Sequence, residues 1–379
     1  MDVWLTLLLL AAVVFVLLFH GAALLLARRM PSVGPEVSDR LRGVPRLSVI
    51  IAARNEETDL GGCLDDLLAQ EFRPEEILVV DGGSTDRTRE VALARALRVR
   101  LIDEPPLPPG WVGKNWACHL GAKAASGEYL LFTDADMRYS PRAISSALAW
   151  AQEEKADLTS LTPRIEMVGF WERVVLPFTV QMILTYFRAS SVNRDSSRAA
   201  MANGQFYIVR RAAYDAVGGH ERIRGVVLED VQLAREFRAA GLRSRLGWAP
   251  ELLSTRMYRD RREMFEGLLK NAHDTQFSAA RQLGFLVGLV GLFWLPLALL
   301  PAGILWHSAL WTVLGAVLWI ALFGKHAIFA HAIRGRAVDG LLFPVAVGFY
   351  VVLMATSLVN GLRRRPLAWK GRAYSIQAR

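Results

Sequence analysis

Apolar and polar positions divide the chain into three parts. Residues 3–26 run almost without a polar side chain, as VWLTLLLLAAVVFVLLFHGAALLL. One membrane-spanning helix needs about 20 apolar residues, and this run is long enough. No positive charge precedes it, whereas Arg28 and Arg29 follow it. That order predicts an uncleaved anchor with its C-terminal end in the cytoplasm, not a cleaved signal peptide. At the other end, residues 283–305, 309–330 and 341–359 are each apolar enough to span. Three crossings would carry the tail RRRPLAWKGR to the side opposite Arg28 and Arg29, against the positive-inside preference. One stretch is therefore expected to be re-entrant or interfacial, and the first, which holds Pro296 and Pro301, is the candidate. An inner apolar stretch, 167–187, contains Glu172, Arg173, Pro177 and Gln181. It fits either a buried core helix or an amphipathic helix lying in the membrane interface.

Between the ends the period changes. LSVIIAAR, EILVVDGG, VRLIDEP and YLLFTDADM are short apolar runs and read as buried strands. They alternate with helical segments: 58–69 with Leu60, Leu64, Leu67 and Leu68 on one face, then STDRTREVALARAL, then 116–126. Strand–helix alternation of this kind predicts an α/β domain with a mostly parallel sheet. Ligands of such sheets bind beyond the carboxyl ends of the strands. Acids collect at those ends: Glu56 after Arg54 and Asn55, Asp81 before Gly82 and Gly83, Asp103 with Glu104, and Asp134 with Asp136.

Composition sharpens this picture. The chain is 53% hydrophobic, above the roughly 45–50% of soluble domains. Its formal charge is +9, and Arg28, Arg29, Arg363, Arg364 and Arg365 flank apolar segments. An anionic membrane surface is the expected partner, and nucleic acid is not. Cys63 and Cys118 are too few for a metal cage and read as small core residues.

Four constellations carry candidate chemistry. Asp134-Ala135-Asp136 ends a predicted strand, where residues two apart point to the same side. Two such carboxylates suit a hard cation such as Mg2+ or Mn2+, and a solvated turn is the plainer alternative. Asp81-Gly82-Gly83-Ser84-Thr85-Asp86 leads from a strand into a helix, with a turn and N-cap as the alternative for Ser84 and Asp86. Glu229 and Asp230 open the helix QLAREFRAAG, either as dipole partners or as a general base. Lys114, in Gly113-Lys114-Asn115-Trp116, is placed just before a helix and is able to meet a phosphate.

In this order, SVIIAARNEE, ILVVDGGSTDRT, GWVGKNWACHLGAKAASGEYLLFTDADM, NGQFYIVRRAAYDAVGGH and VLEDVQLAREFRAAG resemble the family 2 glycosyltransferases. GWVGKNWA, MYRDRREMFEGLLKN and WKGRAY are similar to the membrane-bound branch with hopanoid-associated and carotenoid glycosyltransferases. The resemblance implies a GT-A nucleotide-sugar-binding domain at 45–280, an anchor at 1–29, a C-terminal membrane region of two or three spans at 283–360, and a basic tail at 361–379. It implies single-displacement, inverting transfer of one sugar to a hydroxyl or carboxyl of a membrane lipid; the anchor followed by Arg28 and Arg29 predicts that this takes place on the cytoplasmic face of the inner membrane. Asp81 would contact the nucleotide base, with Asn55, Glu56 and Gly82 nearby and Lys114 toward phosphate. Asp134 would reach ribose or metal, Asp136 would be the principal ligand of Mg2+ or Mn2+, and Asp230 the base, with Glu229 beside it. Gln232-Leu233-Ala234-Arg235-Glu236 lacks the Trp of the processive motif and comes too soon after the acids. That argues against a polysaccharide synthase. A non-catalytic membrane protein on a degenerate transferase fold is the other alternative, against which the intact acids stand.

Overall fold

The computed structural model describes residues 3–27, 30–272, 279–363, 367–369 and 372–374. Arg28, Arg29, Arg364 and Arg365 lie outside them. The strands are β1 (Leu47–Ala53), β2 (Glu76–Asp81), β3 (Val99–Asp103), β4 (Tyr129–Thr133), β5 (Met137–Tyr139), β6 (Leu158–Thr162), β7 (Arg164–Ile165), β8 (Phe206–Arg210), β9 (Ser244–Trp248), β10 (Leu253–Thr255), β11 (Leu367–Trp369) and β12 (Arg372–Tyr374). Seven form one sheet in the order β3-β2-β1-β4-β8-β6-β9. β8 runs antiparallel to both neighbours, and the other pairings in this sheet are parallel. A smaller sheet, β5-β10-β7, stands beside it.

Helices cover both faces, as a sheet of near-continuous apolar strands requires. The first ones are α1 (Val3–Ala27), α2 (Leu60–Leu68), α3 (Thr88–Leu93), α4 (Gly113–Ala124) and α5 (Ala143–Glu153). Val49, Ile51 and Val79 pack with Leu60, Leu64 and Leu67 of α2 on one face. Ile50, Leu78 and Phe132 point to the other and meet Cys118 and Ala122 of α4. Both cysteines are buried and free.

The four strands read from the sequence are present as β1 to β4, but three local conformations differ from the expectation. STDRTREVALARAL becomes helical only at Thr88, because Ser84 binds Asp81 and Asp86 accepts from the Thr88 amide. α4 begins at Gly113, so Lys114 lies inside its first turn. Asp134 to Asp136 do not continue β4. They form a turn, and the chain then enters β5 of the other sheet.

The remaining helices are α6 (Phe170–Tyr186), α7 (Arg211–Ala216), α8 (Gly219–Arg222), α9 (Glu229–Ala239), α10 (Arg261–Ala272), α11 (Ala279–Leu289), α12 (Leu295–Leu305), α13 (Ala309–Ala332) and α14 (Phe343–Leu362). α11 continues into α12 through a π-helical turn, Val290–Trp294, and makes one rod, Ala279–Leu305. Among the described residues, this rod, α13 and Ala337–Leu362 are long and apolar enough to cross a membrane. α1 is one 25-residue helix packed on α13 and α6.

α6 buries Val174, Val175 and Phe178 in a core shared with α10, the rod, α13 and α14, and leaves Phe170, Ile183 and Tyr186 exposed. Its Glu172 is buried and explained by Arg256, whose guanidinium meets the carboxylate twice, at 2.9 and 3.2 Å. Breaking such a buried pair is costly, so it pins α6 to the segment after β10.

Candidate active site

Strand register brings the loops to one level. Ala53 pairs with Asp81, Asp81 with Asp103, and Ile51 with Thr133. The chain therefore leaves β1, β2, β3 and β4 along a single edge. A cavity of 520 Å³ opens there. One end is polar and holds Gly82, Glu104, Lys114, Asp134, Asp136 and Asp230. The other end is apolar and runs between α6, α10, α11 and α14, past Ile183, Leu268, Phe285, Leu353 and Met354.

Seven of the nine residues expected from the sequence line this cavity: Glu56, Gly82, Lys114, Asp134, Asp136, Glu229 and Asp230. Asn55 and Asp81 do not. Asp81 is buried beneath the wall, accepting from Ser84 and from Arg89 at 3.2 Å. Asn55 has a left-handed backbone, with φ 54°, and joins the β1 loop to the β2 loop by accepting from the Thr85 amide at 2.9 Å. Both shape the loops around Gly82.

Lys114 is the electrostatic hub. Its Nζ lies 2.7 Å from Asp134 and 2.8 Å from Glu229. Burial pulls its pKa down, but Asp134 and then Glu229 more than offset that and hold it well above the ordinary lysine value. Lys114 reaches Asp230 only through space, lowering its pKa by less than Glu229 raises it. The Asp230 carboxylate accepts from the Gly204 amide at 2.5 Å and the Val231 amide at 2.7 Å. Burial, and then the adjacent charge of Glu229, raise its pKa to about 7. Two neighbouring acids are thus driven to different tasks: Glu229 pairs with a lysine, and Asp230 titrates near neutrality.

Asp136 accepts from Thr255 Oγ1 at 3.0 Å. Among the described residues no three His, Cys, Asp or Glu side chains cluster to hold a metal unaided. Asp134 and Asp136 nonetheless both line the cavity and offer oxygen donors to it. Mg2+-type ions are usually held by one or two carboxylates, with substrate phosphates and water supplying the rest. The residues present fit such an ion.

Two further residues are needed to build the site. A Cβ on Gly204 would lie 3.0 Å from Asp230, 3.1 Å from Glu229 and 3.1 Å from Lys114, contacts tight enough to push these charged side chains by a few tenths of an ångström. Asn115 is fully buried, and its Nδ2 faces the carbonyls of Ile223 (2.8 Å), Arg224 (3.2 Å) and Val226 (2.9 Å). It fixes the loop that delivers Glu229 and Asp230. Asn115→Ala leaves those carbonyls without this donor and should cost about 1–3 kcal/mol, read as a lowered Tm in detergent. An unchanged Tm would show that the loop is held by other contacts.

Residues 48–218 match the family described as Glycosyl transferase family 2. The 4,4'-diaponeurosporenoate glycosyltransferase of Staphylococcus haemolyticus is 28% identical over 228 residues, covering 59% of this chain and 60% of that protein. The protein of the same name from Staphylococcus aureus is 24% identical over 339 residues, covering 87% of this chain and 88% of its own. A mannosyltransferase from Pyrobaculum calidifontis, solved with GDP-Man and Mn2+, aligns with a TM-score of 0.56 at 17% identity, over 94% of this chain and 99% of that one. That last likeness is one of fold.

Proposed function

We propose that this chain, which carries a family 2 glycosyltransferase domain of the GT-A fold, moves one sugar from a nucleotide-sugar donor to the polar end of an elongated membrane lipid. The carrying observation is the two-ended cavity. Its acidic end suits a nucleoside diphosphate sugar with a divalent ion, and its apolar end suits a hydrocarbon chain. Relatives named for a carotenoid-type acceptor support a polyene or similar lipid. The donor's base end would rest near Gly82 and Glu104, above Asp81. Mg2+ or Mn2+ held by Asp134 and Asp136 would neutralise the diphosphate as it departs.

The chain's own residues would then act as follows. Asp230 takes the proton of the acceptor hydroxyl. The acceptor oxygen bonds to the anomeric carbon from the face opposite the diphosphate, and the bond from that carbon to the diphosphate oxygen breaks with its electron pair. One displacement inverts the carbon, so no enzyme nucleophile is needed. The domain would lie on the cytoplasmic face, where nucleotide sugars are made.

Purified protein assayed with a panel of radiolabelled nucleotide sugars against extracted membrane lipids should place label in an organic-soluble product of one added sugar. Label in polymer would favour a synthase, and no transfer with any donor would favour a non-catalytic role. Within the acceptor reading, Ile183 lines the apolar end while remaining 37% exposed, so a change there spares the core. Ile183→Asp should raise the acceptor KM by about tenfold or more and leave the donor KM unchanged. Unchanged acceptor kinetics would remove this wall from the acceptor path.

A further inference from the structure

By length and hydropathy α14 is a third C-terminal crossing. Its contacts say otherwise. The rod and α13 form an antiparallel hairpin whose turn is at Trp306 and His307. Gly303 packs on Thr312 and Gly315 on Leu300 so closely that a Cβ on either would overlap backbone. Higher up, Trp319 Nε1 donates to the Leu297 carbonyl at 3.0 Å, and Phe293 meets His326. α14 starts at this level. The Phe343 ring stacks on His326 at 4.0 Å, and Trp294 Nε1 donates to the Pro344 carbonyl at 3.2 Å. Trp294 precedes Leu305 by 11 residues. At 1.5 Å per residue, α14 begins about 16 Å from the turn measured along the rod and, because His326 follows Ala309 by 17 residues, about 26 Å from it measured along α13; by either measure it starts short of the turn, inside a hydrocarbon core of about 30 Å.

From there α14 runs away from the turn. Tyr350 donates to Thr179 of α6 at 2.8 Å, Leu353 and Met354 enter the catalytic cavity, and Ser357 donates to the Ala272 carbonyl of α10 at 3.4 Å. β11 of the terminal hairpin then packs on α10. The segment that leads into α14 behaves likewise. α13 rises to the catalytic domain, where Arg334 pairs with Glu251 at 3.3 Å. The short helix Ala337–Leu342 then folds back along α13, and Gly340 sits directly on the backbone of His326. Gly340 is buried against α13, while Val338, Leu341 and Leu342 are exposed apolar side chains of the kind that face lipid.

Resting on the membrane reading above, we propose that the segment Ala337–Leu362 is re-entrant: Ala337–Leu342 turns back into the bilayer, and α14 starts there and runs out again on the catalytic side, so that it never reaches the far side and its inner face becomes the acceptor wall. Only α1 and the rod–α13 hairpin cross. The charge conflict then disappears, because Arg334, Arg336 and the tail beginning at Arg363 share the side of the catalytic domain. The re-entrant stretch demanded by the charges is the third, not the proline-bearing first. A lipid acceptor would slide in from the catalytic-side leaflet, beside α14.

Single cysteines at Arg262, Trp306, Arg336 and Arg363 test this in full-length protein in sealed vesicles of known orientation, with a membrane-impermeant maleimide. Cys63 and Cys118 are buried, so the unmodified chain is the blank. Arg262→Cys, Arg336→Cys and Arg363→Cys should label from one side and Trp306→Cys from the other. Labelling of Arg363→Cys from the Trp306 side makes α14 a true span and overturns the proposal. Labelling of all four from one side means the hairpin does not cross; it overturns the membrane reading itself, and the proposal with it.

Discussion

Asp230→Asn should lower kcat by about 10²–10⁴-fold with a hydroxyl acceptor while leaving donor binding nearly intact. Asparagine keeps the shape of the side chain and its place beside the Gly204 and Val231 amides, but it cannot take a proton. In the proposed reading the donor is held elsewhere, around Gly82 and the Asp134–Asp136 turn, so its KM should barely move. The pH profile carries the same information with a definite sign. A base acts only when deprotonated, and Asp230 is raised to about 7 in the free enzyme. Activity as kcat/KM should therefore be full above pH 7 and fall as pH drops through about 7. The limb should vanish in Asp230→Asn.

The acceptor's own chemistry sets the size of this effect. An alcohol must lose its proton during attack, whereas a carboxylate arrives without one. A lipid acid should thus show a far smaller loss in Asp230→Asn than a lipid alcohol, and comparing the two reads the acceptor class directly. Normal turnover of the alcohol by Asp230→Asn would reduce Asp230 to a helix-capping acid. Glu229 would then be the next base to test, although its contact with Lys114 at 2.8 Å makes it the poorer one.

What could be read from the chain follows the range of the interactions. The sheet was legible because buried parallel strands are apolar runs stopped by polar residues, and Asp81, Asp103 and Asp134 mark those stops. The position of Asp230 was legible because two acids at the start of a helix stand out locally. The turn at Asp134–Asp136 was not, since the chain leaves β4 there to join a different sheet, a decision made by β10 more than a hundred residues later. Thr255 binds Asp136 across 119 positions, and Arg256 binds Glu172 across 84. Such pairs leave no periodic trace. Gly204 looks like any glycine until three charged groups are seen around it. α14 shows the limit most clearly: its hydropathy is that of a span, and only its partners, His326 at one end and Ala272 at the other, show that it turns back.

Removing the divalent ion should abolish transfer, and Mg2+ or Mn2+ should restore it. The reason lies in the charges at the polar end. Asp134, Asp136, Glu229 and Asp230 line one cavity, and the cation in contact with Asp134 and Glu229 is Lys114. A nucleoside diphosphate brings further negative charge into this space. One lysine already shared between two acids cannot neutralise both those acids and a diphosphate, and of the other cations on the cavity wall Arg256 is paired with Glu172 and Arg259 with Asp59. A doubly charged ion between the Asp134–Asp136 turn and the phosphates can, using an oxygen donor set of the kind such ions prefer. Asp136→Ala should therefore weaken nucleotide binding first, with kcat falling less at saturating donor. Binding supplies the readout that does not depend on turnover. Calorimetric titration of the nucleoside diphosphate should show tighter binding with Mn2+ than without it in the native chain, and that difference should disappear in Asp136→Ala. Full activity in chelator, with metal shown to be absent, would overturn this account. Cations already on the cavity wall, Lys114 with Arg54, Arg259 or Lys270, would then have to serve the diphosphate, and Lys114→Met should weaken donor binding.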